Sequence, residues 1–279
     1  MASSTVGNDM HHGKRHGNEP GYALITGASS GIGAAIAREY ARRGKPLILT
    51  ARRQDRLEVL AQELSPLPCR IIVADLADAD APAAIHSRVQ ALGLTVDTLV
   101  NNAGYGVPGA YLSSPWQTHA DFLQVLLRAP CGLAHLFLPQ MQQRRHGRIL
   151  NVCSLAGLVP ASAGHTLYGA SKALLIHFSE ALALEMRPHG IYVTALCPGF
   201  TYSEFHDVNG MRARVSKLPR WLWLDADQVA RRGVEAVENG RMRCVPGPAR
   251  LIAGVCKYLP DAVARALIAG RSGDFRDAD

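Results

Sequence analysis

Apolar runs of four to seven residues alternate along this chain with longer stretches in which apolar positions recur every three or four residues. The short runs predict strands at Tyr22–Thr26, Pro46–Thr50, Arg70–Ala74, Thr98–Asn101, Arg148–Val152, Tyr192–Leu196 and Met242–Val245. The longer stretches predict helices beginning near Gly31, Arg53, Ala79, Trp116, Thr166, Ala226 and Ala249. Strand and helix repeated in this way, with right-handed crossovers, give an α/β fold with a doubly wound, parallel, seven-stranded sheet. No linker or tandem repeat divides it, so one domain over 20–279 is expected. The stretch Thr201–Leu224 fits neither period and holds Phe205, Trp221 and Trp223 among polar residues. An irregular segment of that length reads as a substrate lid. The first 19 residues are nearly devoid of apolar side chains and read as a disordered tail without the apolar core of a secretory signal.

Composition narrows the function classes. The chain has 279 residues, 48% of them hydrophobic, enough for a sizeable core. Without a run of 18 apolar residues, no transmembrane helix is expected. The six cysteines, Cys69, Cys131, Cys153, Cys197, Cys244 and Cys256, are scattered, with no CxxC pair, and several lie in apolar runs. That usage suits a reducing cytoplasm rather than a disulfide framework. The histidines at 11, 12 and 16 belong to the polar tail and are not read as a metal site. The net charge of +7 is dispersed; its densest cluster, Gln142–Arg148, reads as a basic helix end rather than a nucleic-acid surface. A positive surplus also suits a polyanionic cofactor.

The first predicted strand ends in Thr26-Gly27-Ala28-Ser29-Ser30-Gly31-Ile32-Gly33, and a helical pattern follows at once. Gly27 permits the tight turn, Gly31 lets a pyrophosphate approach the backbone, and Gly33 lets helix and strand pack closely. The helix N-terminus offers free N–H groups to the anion. Ser29, Ser30 and Ile32 complete a Rossmann-type dinucleotide cradle. The second strand ends Ala51-Arg52-Arg53, with no carboxylate to grip a ribose diol. Arginine matches phosphate geometry, so NADP(H) is expected over NAD(H), with Arg52 the principal contact and Arg53 beside it.

Tyr168 and Lys172 stand four residues apart, on one helix face. A tyrosine with its ordinary pKa near ~10 is a sluggish proton donor and a poor base at neutral pH. An ammonium one turn away stabilises its phenolate and is expected to lower that pKa. Ser154, fourteen residues before Tyr168, ends the fifth predicted strand, where it can hold and polarise a carbonyl.

The ordered series of the glycine turn, Asp75-Leu76, Asn101-Asn102-Ala103-Gly104, Ser154, Tyr168-Gly169-Ala170-Ser171-Lys172 and Pro198-Gly199 resembles the short-chain dehydrogenase/reductase superfamily over roughly residues 21 to 250. The resemblance implies that Asp75 bonds the adenine amino group with Leu76 beside the ring. It also implies that Asn102, Ala103 and Gly104 line the adenine-ribose side and brace the sheet, and that Pro198, Gly199, Thr201 and Ser203 face the nicotinamide. Lys172 is implied to bond the nicotinamide ribose as well. The family's catalytic asparagine falls here on Leu126, counting back from Leu138-Pro139. Leucine cannot help to order the water that links the lysine to solvent.

The resulting expectation is an NADP(H)-dependent oxidoreductase that moves hydride between nicotinamide and a carbonyl or alcohol, in the reductive direction. Tyr105, Leu155, Phe200 and Phe205 are expected to line a pocket for a hydrophobic ketone or aldehyde. The competing expectation, resting on Leu126, is an NADP(H)-binding sensor, scaffold or non-redox catalyst. Family habit implies a homodimer or homotetramer paired through the helices Trp116–Met141 and Thr166–Met186.

Overall fold

A computed structural model describes residues 21–107, 109–161, 163–164, 166–202, 219–260 and 262–266. The tail expected over 1–19 lies outside the described residues, as does most of the expected lid, Ser203 and Phe205 included. The described strands are β1 (Tyr22–Thr26), β2 (Leu47–Ala51), β3 (Cys69–Val73), β4 (Val96–Asn101), β5 (Gly147–Val152), β6 (Ile191–Leu196), β7 (Thr201–Tyr202), β8 (Leu224–Asp225) and β9 (Arg243–Cys244). Seven of them form one parallel sheet in the order β3-β2-β1-β4-β5-β6-β9. The doubly wound sheet read from the sequence is therefore present. Strands β7 and β8 pair separately, two residues each; they are too short to leave a periodic signal.

Alternation within the strands sorts the helices into two layers. Ala23 and Ile25 of β1, Leu47 and Leu49 of β2 and Leu150 of β5 face α1 (Gly31–Arg42), α2 (Gln54–Glu63) and α7 (Ala226–Glu238), where Ile36, Leu57 and Val234 are fully buried. Leu24, Ile48 and Ile149 face α3 (Ala81–Ala91), α4 (Trp116–Leu123), α5 (Ala129–Arg144) and α6 (Thr166–Met186). Helix α8 spans Ala249–Tyr258, and residues 262–266 are also helical. Strand β2 begins one residue later than expected because Pro46 has no N–H; it still contributes its carbonyl, which accepts from Ala23 N at 2.9 Å.

Helices α4 and α5 are joined without a break by a π-helical turn, Gln124–Arg128, in which Ala129 N–H bonds the Gln124 carbonyl. Pro130, second in α5, has no N–H to continue the regular ladder, and the slip to the wider register falls beside it. The run Trp116–Arg144 is long and apolar enough to cross a membrane, with a mean hydropathy of 1.3, and half of it is buried within the protein. Its Phe122, Val125, Leu126, Leu133, Phe137 and Met141 pack in the core. The arginines of the basic cluster are engaged with the protein itself: Arg144 with Thr95, Arg145 with the Pro188 carbonyl, and Arg148 with Glu238 and the Tyr192 ring.

Candidate active site

The chain leaves β1 towards β2 and β3 on one side and returns to β4 on the other. A crevice therefore opens at the carboxyl ends of β1 and β4, the usual place for a ligand in a sheet wound this way. Both turns bordering it are shaped by backbone. Gly27 and Gly31 have φ of +65° and +54°, which a side chain resists. A Cβ on Gly27 would lie 2.8 Å from Ala103 Cα, and one on Gly33 would overlap the Gly27 carbonyl and the Asn102 amide. Asn102 Nδ2 donates to the carbonyls of Thr26 (2.9 Å) and Gly27 (3.2 Å), while Thr26 Oγ1 accepts from the N–H groups of Asn102 (3.0 Å) and Ala103 (3.1 Å). The two turns are thus one cross-braced unit opening on the N-terminus of α1, packed so closely that a Cβ at Gly27 or Gly33 meets protein atoms.

The two arginines after β2 part ways. Arg53 is turned into the glycine turn, donating from Nη2 to Ser29 Oγ (3.1 Å) and Ser30 Oγ (2.9 Å). Arg52 is 72% exposed and pairs loosely with Asp75 at 3.7 Å. Arg53, rather than Arg52, is therefore the arginine that the fold draws against the glycine turn. Asp75 also accepts from Ala77 N–H at 3.0 Å, and Leu76 is buried in the core.

Beyond β5, Ser154 opens a short 3-10 turn and its Oγ accepts from Ala156 N–H at 3.1 Å. The first two turns of α6 lie against it. Ser154 and Tyr168 are hydrogen-bonded, Lys172 Nζ is 5.8 Å from the centre of the Tyr168 ring, and that Nζ donates to the Val152 carbonyl at 2.8 Å. Burial pushes Tyr168 up to about 12, against the downward pull of Ser154. Burial likewise pushes Lys172 down. Burial, and not Lys172, is the first cause that moves the Tyr168 pKa here, and its direction is upward. Behind this group the scattered cysteines converge. Cys153 and Cys197 follow paired residues of β5 and β6 and hydrogen-bond to each other; that bond and burial push the Cys197 thiol far up.

The family model for the short chain dehydrogenases matches residues 21–211. The chain belongs to the short-chain dehydrogenase/reductase superfamily. It is an oxidoreductase of that group with a nicotinamide cofactor cradle. It is 37% identical over 180 residues to the oxidoreductase UcpA of Salmonella typhimurium, covering 64% of this chain and 68% of the relative. It is 39% identical over 188 residues to nodulation protein G of a Rhizobium species, strain N33, covering 66% and 75%. Among solved structures, a short-chain dehydrogenase from Sphingobium yanoikuyae in complex with NADPH superposes with a TM-score of 0.76 at 32% identity, over 93% of this chain and 97% of that one. A bulky-bulky ketone specific alcohol dehydrogenase from Comamonas testosteroni superposes with a TM-score of 0.71 at 30% identity, over 88% and 97%.

In this short-chain dehydrogenase/reductase the loop after β6 closes the far side of the cleft. Leu155 N–H donates to the Pro198 carbonyl at 2.8 Å, and a Cβ on Gly199 would touch Leu155 at 3.9 Å and Ala249 at 2.9 Å. Thr201, buried, turns its hydroxyl back onto the Gly199 carbonyl at 3.1 Å. Phe200 leans on Trp223 (5.6 Å between ring centres), which stacks on Tyr202 (4.6 Å). Tyr105 packs edge-on against Phe122 at 5.6 Å, and its pKa, raised by burial, feels Asp121, Arg52 and Asp75.

Leu126 lies within the π-helical turn, 1% exposed, in the sheet-facing core, and its side chain is the nearest neighbour of a Cβ built on Gly104, at 3.8 Å. Sequence reasoning missed a buried amide chain: Asn101 Nδ2 donates to Asn151 Oδ1 (2.8 Å) and to the Pro130 carbonyl (3.3 Å), and Asn151 Nδ2 donates to Ser179 Oγ (2.8 Å). A signal was available, since each asparagine interrupts an apolar strand and the two are register partners.

Proposed function

We propose that the chain is an NADPH-dependent reductase of a hydrophobic ketone or aldehyde. The observation that carries the reading is the Arg53 guanidinium folded onto Ser29 and Ser30, with Arg52 beside it and no carboxylate at the end of β2. A 2′-phosphate there meets two cations and two hydroxyls; a bare ribose diol meets no carboxylate to grip it. The cradle of Gly27, Gly31 and Gly33, with Ile32, would hold the pyrophosphate at the α1 N-terminus. Asp75 and Leu76 flank the adenine, Asn102, Ala103 and Gly104 its ribose, and Pro198, Gly199, Thr201 and Ser203 the nicotinamide. Bound there, NADPH supplies the hydride.

The chain's own residues do the rest. Ser154 donates to the substrate carbonyl and orients it. Tyr168, protonated, delivers its proton to the oxygen as negative charge develops. Lys172 steadies the resulting phenolate and holds the nicotinamide ribose. Leu155 and Phe200, with Phe205, supply apolar contact to the substrate. Trp116, Leu174 and Leu184 are 64%, 48% and 62% exposed on α4 and α6, apolar side chains left outward on the helices through which relatives pair, which supports a homodimer or homotetramer.

A second reading is favoured by one observation, the core placement of Leu126. It is a protein that holds NADPH with little or no redox turnover. The two are separated by cofactor titration together with NADPH consumption over a panel of ketones and aldehydes. Tighter binding of NADPH than NADH is expected, with Arg53→Ala losing on the order of tenfold to a hundredfold in NADPH affinity. Equal affinities for the two cofactors refute the cofactor assignment; tight NADPH binding with no consumption on any substrate moves the protein to the second reading.

A further inference from the structure

We propose that α8 docks this protein, peripherally, on an anionic membrane surface. The helix lies on the outside of the fold, and Ala249 is its one buried residue. Leu251, Val255 and Tyr258 recur at i, i+4 and i+7 and are 70%, 54% and 82% exposed. Ile252, Cys256 and Leu259, half-buried, occupy the inner side. The outward apolar stripe is therefore not the side by which α8 packs on its own fold. A single exposed apolar residue needs no explanation; three on one face of one helix form a contact surface.

Charge identifies the partner. Arg250 and Lys257, both exposed, stand seven residues apart beside the stripe, and Lys257 Nζ lies 5.6 Å from the centre of the Tyr258 ring. From 239 to 260 the sequence has four cations, Arg241, Arg243, Arg250 and Lys257, and no acidic residue. One of them, Arg243, is paired with Glu180. An apolar stripe with cations along its side matches a bilayer of anionic lipid. The aliphatic and aromatic groups enter the boundary between headgroups and acyl chains, and the long basic side chains reach back to the phosphates. A second copy offers the stripe no complementary charge, since its own α8 carries the same two cations and no carboxylate. The helix also adjoins the loop that closes the cleft. A Cβ on Gly199 would stand 2.9 Å from Ala249 Cβ, and one on Gly247 2.7 Å from Leu224. Tyr202 in β7 and Trp221 in the turn before β8 are themselves largely exposed, and such rings settle at a membrane–water boundary.

The test is cosedimentation of the full chain with vesicles of phosphatidylcholine alone and of phosphatidylcholine mixed with phosphatidylserine, at physiological ionic strength. Binding to the mixed vesicles is expected, with little to phosphatidylcholine alone. Arg250→Gln with Lys257→Gln should weaken it by about tenfold or more. Leu251→Gln with Val255→Gln should weaken it by on the order of a hundredfold. All four side chains point outward, so both variants should keep the circular dichroism and thermal unfolding of the wild type. Absence of binding to the mixed vesicles overturns the proposal. So does binding that the apolar pair of substitutions leaves unmoved, which is adsorption of a basic chain by charge elsewhere. A wild-type oligomer that ignores vesicles and dissociates in Leu251→Gln with Val255→Gln makes the stripe a contact between copies, and overturns it too. Vesicle binding is read without turnover, so this outcome and that of the reductase reading are independent.

Discussion

At the β1–α1 turn, the site is shaped by atoms that have no freedom. Gly27 and Gly33 face backbone and the Asn102 amide at contact distance, and Asn102 spends its donors on the carbonyls of the turn itself. Past β6 the construction is different. Two strands of two residues each hold the loop, Trp223 rests between Phe200 and Tyr202, and Tyr202 and Trp221 remain 49% and 64% exposed. On the proposed function the first region, built from backbone, holds a group common to every dinucleotide, and the second, built from side chains, meets the variable partner. Precision resides where the ligand is invariant, and adaptability where it is not. The proposed catalytic pair sits between them, on α6, with Lys172 in the core and Tyr168 beside Ser154.

Removing the acid tests that division hardest. Tyr168→Phe is expected to lower the reductase rate by ~10²–10⁴-fold while NADPH affinity, set by the other region, stays nearly constant in a fluorescence titration. The same residue has a pH signature. Its folded pKa, up to about 12, lies above the ordinary value of 10.0. The stability that a neutral buried phenol contributes is thus complete below pH ~10 and is lost as pH rises towards ~12. The wild-type minus Tyr168→Phe tyrosinate absorbance should appear only near the upper end of that window; a step near ~10 in the cofactor-free protein would mean that Lys172 governs the phenol after all.

The next effect belongs to the rigid region. Gly33→Ala puts a methyl where the Gly27 carbonyl and Asn102 amide already stand. A loss of roughly 1–3 kcal/mol in stability is expected, with weaker NADPH binding and little change in the relative rates on different ketones. If the variant keeps its cofactor affinity but reorders its preference among ketones, the two regions are not separable in the way described.

The smallest effect is expected at Leu126. With its side chain in the core beside Gly104, Leu126→Asn buries an amide among apolar neighbours, costing roughly 1–3 kcal/mol if the amide finds no partner. Thermal unfolding should come earlier and turnover should not rise. A folded variant with several-fold higher turnover would show that the proton path lacks the ligand that asparagine provides.

How legible each region was follows from the same contrast. The cofactor cradle was readable because its requirements are those of backbone sterics: a glycine is needed where φ is +65° or where a Cβ overlaps a carbonyl, and the letters say so. Ser154, Tyr168 and Lys172 were readable because helical spacing and a strand end fix their meeting. The pKa of Tyr168 was not, since desolvation depends on packing brought from elsewhere. Nor was the choice between Arg52 and Arg53, adjacent letters whose directions are decided by the first turn of α2.

The chain of buried amides has a mechanical consequence. Asn101 on β4, Asn151 on β5, Ser179 on α6 and the Pro130 carbonyl on α5 are tied through hydrogen bonds of 2.8 to 3.3 Å with no water between them. Any local opening that parts two of these elements strands an amide in hydrocarbon, so partial excursions are penalised almost as heavily as complete ones. The strand that carries Ser154, the helix that carries Tyr168 and the strand that leads to Asn102 are therefore bound into one cooperative unit, which breathes as a whole or not at all.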